Sequence, residues 1–391
     1  MSLKPFNSIN VNGKRVLVRV DFNVPIEQKK ILDDFRIQQT LPTIKLLKEK
    51  GAKKIILISH LGRPSKRDEK LSLELIAEYL EKLINEKIYF LKAPIGKKLL
   101  EEIENIPDNS IILLENIRFY KEEEGNNRNF AKELAKTADY FINEAFSVSH
   151  RKTASLCAIT EFLPSYSGKL LEKEIANLDK VLEKPEKPLV IILGGAKTKD
   201  KLPLVEKFLE KADYILLGGV IANTILKANG FSIGQSLFEK EVISEAKEIG
   251  SKKAQIVLPG DFVVLNKENK KQIKELGLID NDESIFDIGP TTINSFSGII
   301  SKARTVFFNG PMGKFEDIRF SKGTNEITKA ILKNKKAFSV IGGGETITSF
   351  KDLSFKSKVS DSIFLSTGGG AMLEYLANKS LPGLATIKNI S

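Results

Sequence analysis

The chain has 391 residues, 41% hydrophobic and 28% charged, enough for two domains, or three on size alone, and of ordinary soluble, globular composition. No apolar run approaches the ~18 residues that span a bilayer. The opening MSLKPFNSIN lacks a signal-peptide core, and a single cysteine, Cys157, excludes an internal disulfide and fits a reducing cytosol.

The net charge is +11, from 61 basic and 50 acidic residues. No run of five or more basic residues and no aromatic-rich basic motif accompanies it, so a lysine-rich solvated surface is the default reading. The arginines say more. Only ten of the basic residues are arginine; eight precede residue 152, and none lies between 152 and 303. In a lysine-dominated chain, arginine is kept where a planar, bidentate fork matters, which places an anion site in the first half. Arg67 and Arg128 read as surface residues.

In chain order, short apolar runs predict strands over 15–21, 54–59, 110–115, 140–143, 189–193, 214–217, 255–258, 305–308, 337–341 and 362–366. Residues 15–21 alternate, with Val16, Val18 and Val20 on one side, as in a strand leading toward a polar site. Helical patterns lie between the runs. The clearest is 73–84, with Leu73, Ile76, Ala77, Leu80 and Leu83 on one face and Ser72 as its N-cap. Strand–helix alternation predicts an α/β fold of two doubly wound, Rossmann-like parallel-sheet domains. The Pro, Gly and Ser of EFLPSYSGK (161–169) and the prolines of EKPEKP (183–188) place a join near 164–185, with a bridging helix or hinge there. The domains are then 1–165 and 170–375.

Nearly every predicted strand ends in a polar or glycine-rich cluster, and in open α/β sheets ligands bind at the carboxyl ends of strands. The first half gathers Asp21, Asn23, Arg36, His60, Arg63, Arg118 and Arg151, suited to a small, multiply charged anion bearing a hydroxyl. The second half gathers Gly194–Gly195, Gly218–Gly219, Asn309–Pro311, the glycines 342–344 and the glycines 368–370, suited to phosphate on backbone N–H groups. Within LGGAKTKDKL (193–202) neither a P-loop nor a dinucleotide fingerprint fits. Lys197 and Lys201 lie four apart and share a helical face. Glu345 is a candidate Mg²⁺ contact. No Asp or His stands out as a catalytic base, and phosphoryl transfer to an ionised carboxylate requires none.

The segments VDFNVP (20–25), SHLGRP (59–64), LLENIRF (113–119), NEAFSVSHRKTAS (143–155), LGGAKTKDKL, DIGPTT (287–292), FNGPMGKFE (308–316), GGGET (342–346) and STGGGAMLEYL (366–376) closely resemble the phosphoglycerate kinase family, over essentially the whole chain and in family order. The resemblance implies a monomeric, cytoplasmic, hinge-bending glycolytic kinase. It would transfer a phosphoryl group reversibly between 1,3-bisphosphoglycerate and ADP, giving 3-phosphoglycerate and ATP, with Mg²⁺ bound to the nucleotide. It assigns Asp21, Asn23, Arg36, His60, Arg63, Arg118 and Arg151 to the phosphoglycerate, with Arg36 also stabilising the transferring group. It places the nucleotide at Gly194, Gly195, Lys197, Lys201, Gly218, Gly219, Asn309, Pro311, Glu316, Gly342, Gly343, Gly344, Glu345 and Thr346. Gly343 and Gly369 join Arg36, Lys197 and Lys201 as the catalytic set. Gly194 and Gly195 are expected to let the adenine end lie flat against the backbone. Residues 376–391 are expected to return to the first domain. Three positions depart from the family pattern: Glu345 where aspartate is usual, Thr153 where a second histidine is usual, and Phe308 where tryptophan is usual.

Two other readings use the same features. A nicotinamide-dependent dehydrogenase needs G-x-G-x-x-G after a strand, and Gly342–Gly344 lack the third glycine at that spacing. A nucleic-acid-binding protein needs strongly salt-dependent binding to a duplex. Neither nucleic acid nor a membrane is an expected partner.

Overall fold

The computed structural model describes residues 3–249, 255–354, 362–377 and 380–387. The chain divides into two units, Met1–Ala176 with Ser380–Ser391, and Asn177–Lys379. The division falls inside the helix Lys169–Leu182.

In the first unit the strands are β1 (Arg15–Arg19), β2 (Ile26–Glu27), β3 (Lys30–Ile31), β4 (Lys54–Ile58), β5 (Ile88–Leu91), β6 (Ser110–Leu114), β7 (Tyr140–Asn143) and β8 (Ser165–Ser167). Six of them form one parallel sheet in the order β5-β6-β4-β1-β7-β8. β2 and β3 make a separate hairpin. Val16 and Val18 of β1 pack with Ile55 and Leu57 on one face, while Leu17 packs with Ile56 and Ile58 on the other. A sheet buried on both faces explains why these strands read as near-continuous apolar runs.

The second unit holds β9 (Leu189–Leu193), β10 (Tyr214–Leu217), β11 (Gln255–Val257), β12 (Asp261–Leu265), β13 (Lys271–Glu275), β14 (Ser284–Ile288), β15 (Thr305–Asn309), β16 (Phe338–Gly342) and β17 (Ile363–Leu365). Its main sheet is also parallel, in the order β11-β10-β9-β15-β16-β17. β13-β12-β14 form a small antiparallel sheet. In both units the chain order reverses beside a central strand, β1 or β9. That switch opens a crevice at the carboxyl ends of the strands.

Several expectations shift. The strand expected over 15–21 stops at Arg19, because Asp21 turns its carboxylate onto the N–H of Asn23. The helix expected over 73–84 runs Glu74–Ile84, with Leu73 at the N-cap position, while the Ser72 hydroxyl makes the capping contact by accepting the Glu74 N–H at 3.3 Å. The Ser72 hydroxyl donates to Glu115 at 2.9 Å, and the same carboxylate accepts the Leu73 N–H at 3.0 Å. The small antiparallel sheet is absent from the strands expected: Pro259 and Gly260 separate β11 from β12 by only three residues, and β13, KQIKE, is too polar to show as a strand. Of the expected return segment 376–391, residues 378–379 and 388–391 lie outside the described residues. The Gly383 N–H donates to the Ser149 carbonyl at 2.9 Å, and the Lys4 N–H to the Ile387 carbonyl at 3.1 Å. No described helix is long and apolar enough to cross a membrane.

Candidate active site

In the first unit, four neighbouring strands, β6, β4, β1 and β7, deliver the arginine-rich cluster from their carboxyl ends. Asp21 is the anchor. One oxygen accepts from the Asn23 N–H at 3.0 Å; the other accepts from the Arg36 guanidinium at 2.7 Å and from the Ser147 hydroxyl. Burial disfavours the charge on Asp21, but Arg36 above all, with the Ser147 hydroxyl and the Asn23 N–H, outweighs it and holds the carboxyl below its usual range. Arg36 also donates to the Asn23 carbonyl at 3.1 Å, and Asn23 Oδ1 accepts the Gly62 N–H at 2.9 Å. Arg118 donates to the Gly62 carbonyl at 2.7 Å. Burial, then repulsion from Arg151 and Arg19, pushes Arg118 down to about 10. His60 is buried, with Nδ1 3.9 Å from Asp21. Among the described residues, no carboxylate lies within salt-bridge reach of Arg63, which is exposed, or of Arg151, which is half-buried. Hydrogen bonds, close contacts or mutual repulsion thus join Asp21, Asn23, Arg36, His60, Arg118 and Arg151 in one electropositive cluster. Arg63 adjoins it through Gly62.

In the second unit, the loops after β9, β10, β15, β16 and β17 meet at one edge. Backbone packs on backbone here. The Gly195 N–H donates to the Pro311 carbonyl at 2.7 Å, the Gly219 N–H to Met312 at 2.9 Å, and the Val220 N–H to Gly195 at 3.1 Å. A Cβ on Gly194 would lie 2.1 Å from the Pro311 carbonyl oxygen, and one on Gly310 2.3 Å from that of Gly194. Gly194 is therefore glycine because two loops touch, and it does not line the adjoining cavity, where the sequence had placed it against the nucleotide. Gly218 and Gly342 abut Met312 and Met372 in the same way. Gly344, Gly369 and Gly370 differ: a Cβ there would meet nothing within 4 Å, so no packing contact requires a glycine at these positions.

The cavity has a volume of about 440 Å³. Gly195, Gly219, Pro311, Glu316 and Glu345 line it, with Phe262, Ile285 and Phe286 of the small sheet giving an apolar wall. Lys201 is buried, its Nζ 3.4 Å from the Lys197 carbonyl. Burial lowers its pKa, opposed by Asp200, Glu239 and Glu345. Lys197 is exposed. Asn309 and Thr346 brace the loops: Thr346 Oγ1 accepts the Gly310 N–H at 2.8 Å, and a Cβ on Gly343 would sit 3.0 Å from Asn309 Nδ2. Among the described residues no group of three His, Cys, Asp or Glu could cage a metal. A lone exposed carboxylate, Glu345, fits a Mg²⁺ that draws its other ligands from phosphate and water.

Sequence reasoning missed three side chains. Glu239 accepts the Thr198 and Lys199 N–H groups, each at 2.8 Å, so the helix Thr198–Phe208 already has its N-terminus capped. Asp287 lines the cavity and is raised to about 7 by burial, while accepting the Gly323 N–H at 2.7 Å. Arg19, beside Asp21, is a buried guanidinium. Each acts on a partner distant in sequence, and no local spacing announces it.

The fold and these clusters define a two-unit, parallel-sheet α/β protein, with an arginine-rich, electropositive cluster in one unit and a glycine-bordered cavity in the other. The family model for phosphoglycerate kinase matches residues 6–379. Phosphoglycerate kinase of Dictyoglomus turgidum is 44% identical over 388 residues, 97% of each chain, and that of Coprothermobacter proteolyticus is 42% identical over 395 residues, 99% of each. The solved phosphoglycerate kinases of Coxiella burnetii and Pyrococcus horikoshii superpose with TM-scores of 0.84 and 0.86, at 36% and 33% identity, over 98% of both chains. The chain belongs to the phosphoglycerate kinase family.

Proposed function

We propose that the chain transfers a phosphoryl group reversibly between 1,3-bisphosphoglycerate and ADP, giving 3-phosphoglycerate and ATP. The observation that carries this reading is the guanidinium cluster around Asp21, in which Arg63 and Arg151 have no carboxylate partner among the described residues. Such a cluster suits a ligand that is both a phosphate ester and a carboxylate. Asp21 and Asn23 take its hydroxyl. In the other unit the apolar wall takes the base, Glu316 the ribose, and Lys197, Lys201 and the N–H groups of Gly343, Gly344, Gly369 and Gly370 the phosphates. Glu345 would hold the nucleotide's Mg²⁺, which neutralises phosphate charge when bound.

In the direction that consumes ATP, the ionised carboxylate of 3-phosphoglycerate attacks the terminal phosphorus and the bond to the ADP oxygen breaks; the reverse step returns the phosphoryl group to ADP. No proton moves, so no general base is needed. Arg36 stabilises the charge on the transferring group. The assignments place the two reactants in separate units, so transfer requires the protein to close and bring them within bonding distance. The protein acts as a monomer in the cytoplasm. A coupled assay with purified protein, 3-phosphoglycerate and MgATP tests this. ADP production that depends on 3-phosphoglycerate is expected. No ADP, or the same ADP with Arg36→Ala, refutes it.

A further inference from the structure

Arg19 ends β1 with only 2% of its surface exposed. Its guanidinium is fixed from several sides. Nε donates to Ser155 Oγ at 2.9 Å and Nη1 to the Val20 carbonyl at 2.5 Å, while Nη2 lies 3.5 Å from His60 Nδ1. Ser155 in turn donates to Glu123 through its hydroxyl at 2.7 Å and its N–H at 2.9 Å. Glu123 is 1% exposed. A buried carboxylate thus balances a buried guanidinium through a shared hydroxyl.

A guanidinium has donors and no acceptor. The ring nitrogen that faces it must therefore be the one bearing the lone pair. The other neighbour of Nδ1 is Asp21, at 3.9 Å, beyond hydrogen-bond range. The Asp21 oxygens are already taken by Arg36, Ser147 and the Asn23 N–H. We infer that Arg19 is a positioning residue for His60: it holds the imidazole neutral with the proton on Nε2, leaving a ring N–H to donate to a bound oxyanion. Among the described residues Nε2 has no hydrogen-bond partner, and it is not one of the fully sealed polar atoms, so this edge of an otherwise buried ring keeps contact with solvent or ligand. The surrounding charges act in the same sense. Burial, then Arg19, Arg118 and Arg36, hold the ring well below its ordinary pKa, with Asp21 opposing. The donor therefore stays the same across the range in which a phosphate monoester titrates, near pH 6. Its service to phosphoglycerate rests on the function proposed above; the tautomer does not.

The chain has only two histidines, His60 and His150. Long-range ¹H–¹⁵N correlation on the ¹⁵N-histidine-labelled full chain, assigned with His150→Gln, reads each ring directly. His60 is expected to show a bare Nδ1 and a protonated Nε2, unchanged from about pH 6 to 8. Arg19→Met should let Nδ1 take up a proton within that range. It should also raise the KM for 3-phosphoglycerate about tenfold without moving that for ATP, with Arg19→Lys partly restoring both. Should Arg19→Met fail to fold, Ser155→Ala, which frees the guanidinium, is expected to give a smaller change of the same sign. A proton on Nδ1 in the wild type, a titration midpoint near 6.5, or a ring unaffected by the variant that folds overturns the inference. The spectrum needs no substrate, so absent kinase activity would refute the function and leave the tautomer assignment standing.

Discussion

Arg36 donates to both Asp21 and the Asn23 carbonyl, so in the proposed reaction it positions the acceptor site as well as stabilising the migrating group. Arg36→Ala is expected to lower kcat on the order of 10³-fold, measured with circular dichroism to confirm the fold. Arg36→Lys should recover little, because a point charge cannot span two acceptors. A kcat within twofold of wild type for either variant contradicts the role. Glu345 is exposed and, among the described residues, belongs to no group of three metal-ligating side chains. Glu345→Gln should raise the Mg²⁺ concentration needed for half-maximal rate, and Glu345→Asp should not. An unchanged Mg²⁺ profile in the Gln variant would remove the metal role. At this scale the sequence is readable where a residue type is rare against its background. Eight arginines in the first half of a lysine-rich chain mark the cluster around Asp21. Glu123, Glu239 and Asp287 are unreadable, because a carboxylate buried against a distant hydroxyl or helix end looks like any other acidic residue in a chain with 50 of them.

At the scale of elements, two glycines from similar motifs separate packing from ligand approach. Gly194→Ala forces a Cβ against the Pro311 carbonyl and should destabilise the protein by roughly 2–3 kcal/mol. Gly344 begins the helix Gly344–Ser354 and faces open space, so Gly344→Ala should leave the melting temperature within about 2 °C of wild type while weakening nucleotide binding. Calorimetric melts and ADP titration of both variants check this; equal melting temperatures contradict the packing argument. Glu144 shows a different kind of element-level control. Its carboxylate is buried, accepts from Thr43 Oγ1 and from the Leu170 N–H at 2.9 Å, and so sits at the start of the helix Lys169–Leu182. Burial raises it from 4.5 to about 7, against those hydrogen bonds. The folded state then holds a proton that the unfolded chain has lost, so this group's contribution falls as pH rises through that window. Urea-derived stability of wild type minus that of Glu144→Gln should drop on the order of 3 kcal/mol between pH 4.5 and 8. A flat difference would sink the assignment. Strands buried on both faces were legible as apolar runs, and so the second parallel sheet and the centre of the first were too; the partly exposed edge strands β5 and β8 were not. The antiparallel sheet β12–β14 was not, because β13 exposes both faces and carries no apolar period.

At the scale of the whole molecule, the order of polar strand ends along the chain was enough to predict two sites of different chemistry on an α/β frame. Strand pairing order was not, since parallel strands are joined through helices and no local spacing encodes which strand lies beside which. The sequence placed a join with a bridging helix or hinge near 164–185; the division falls inside the helix Lys169–Leu182, and the exact residue was not legible. In the proposed reaction, closure follows if the reactants bind in separate units. Small-angle scattering should give a smaller radius of gyration with 3-phosphoglycerate and a non-hydrolysable ATP analogue together than with either alone, and an unchanged radius would contradict it. The central claim is direct transfer from nucleotide to carboxylate, and following the γ-phosphoryl label of ATP tests it most directly. With purified protein, Mg²⁺ and 3-phosphoglycerate, the label should appear in an acid-labile acyl phosphate and return to ATP when ADP is added. Label released as inorganic phosphate at the same rate without 3-phosphoglycerate would contradict the account.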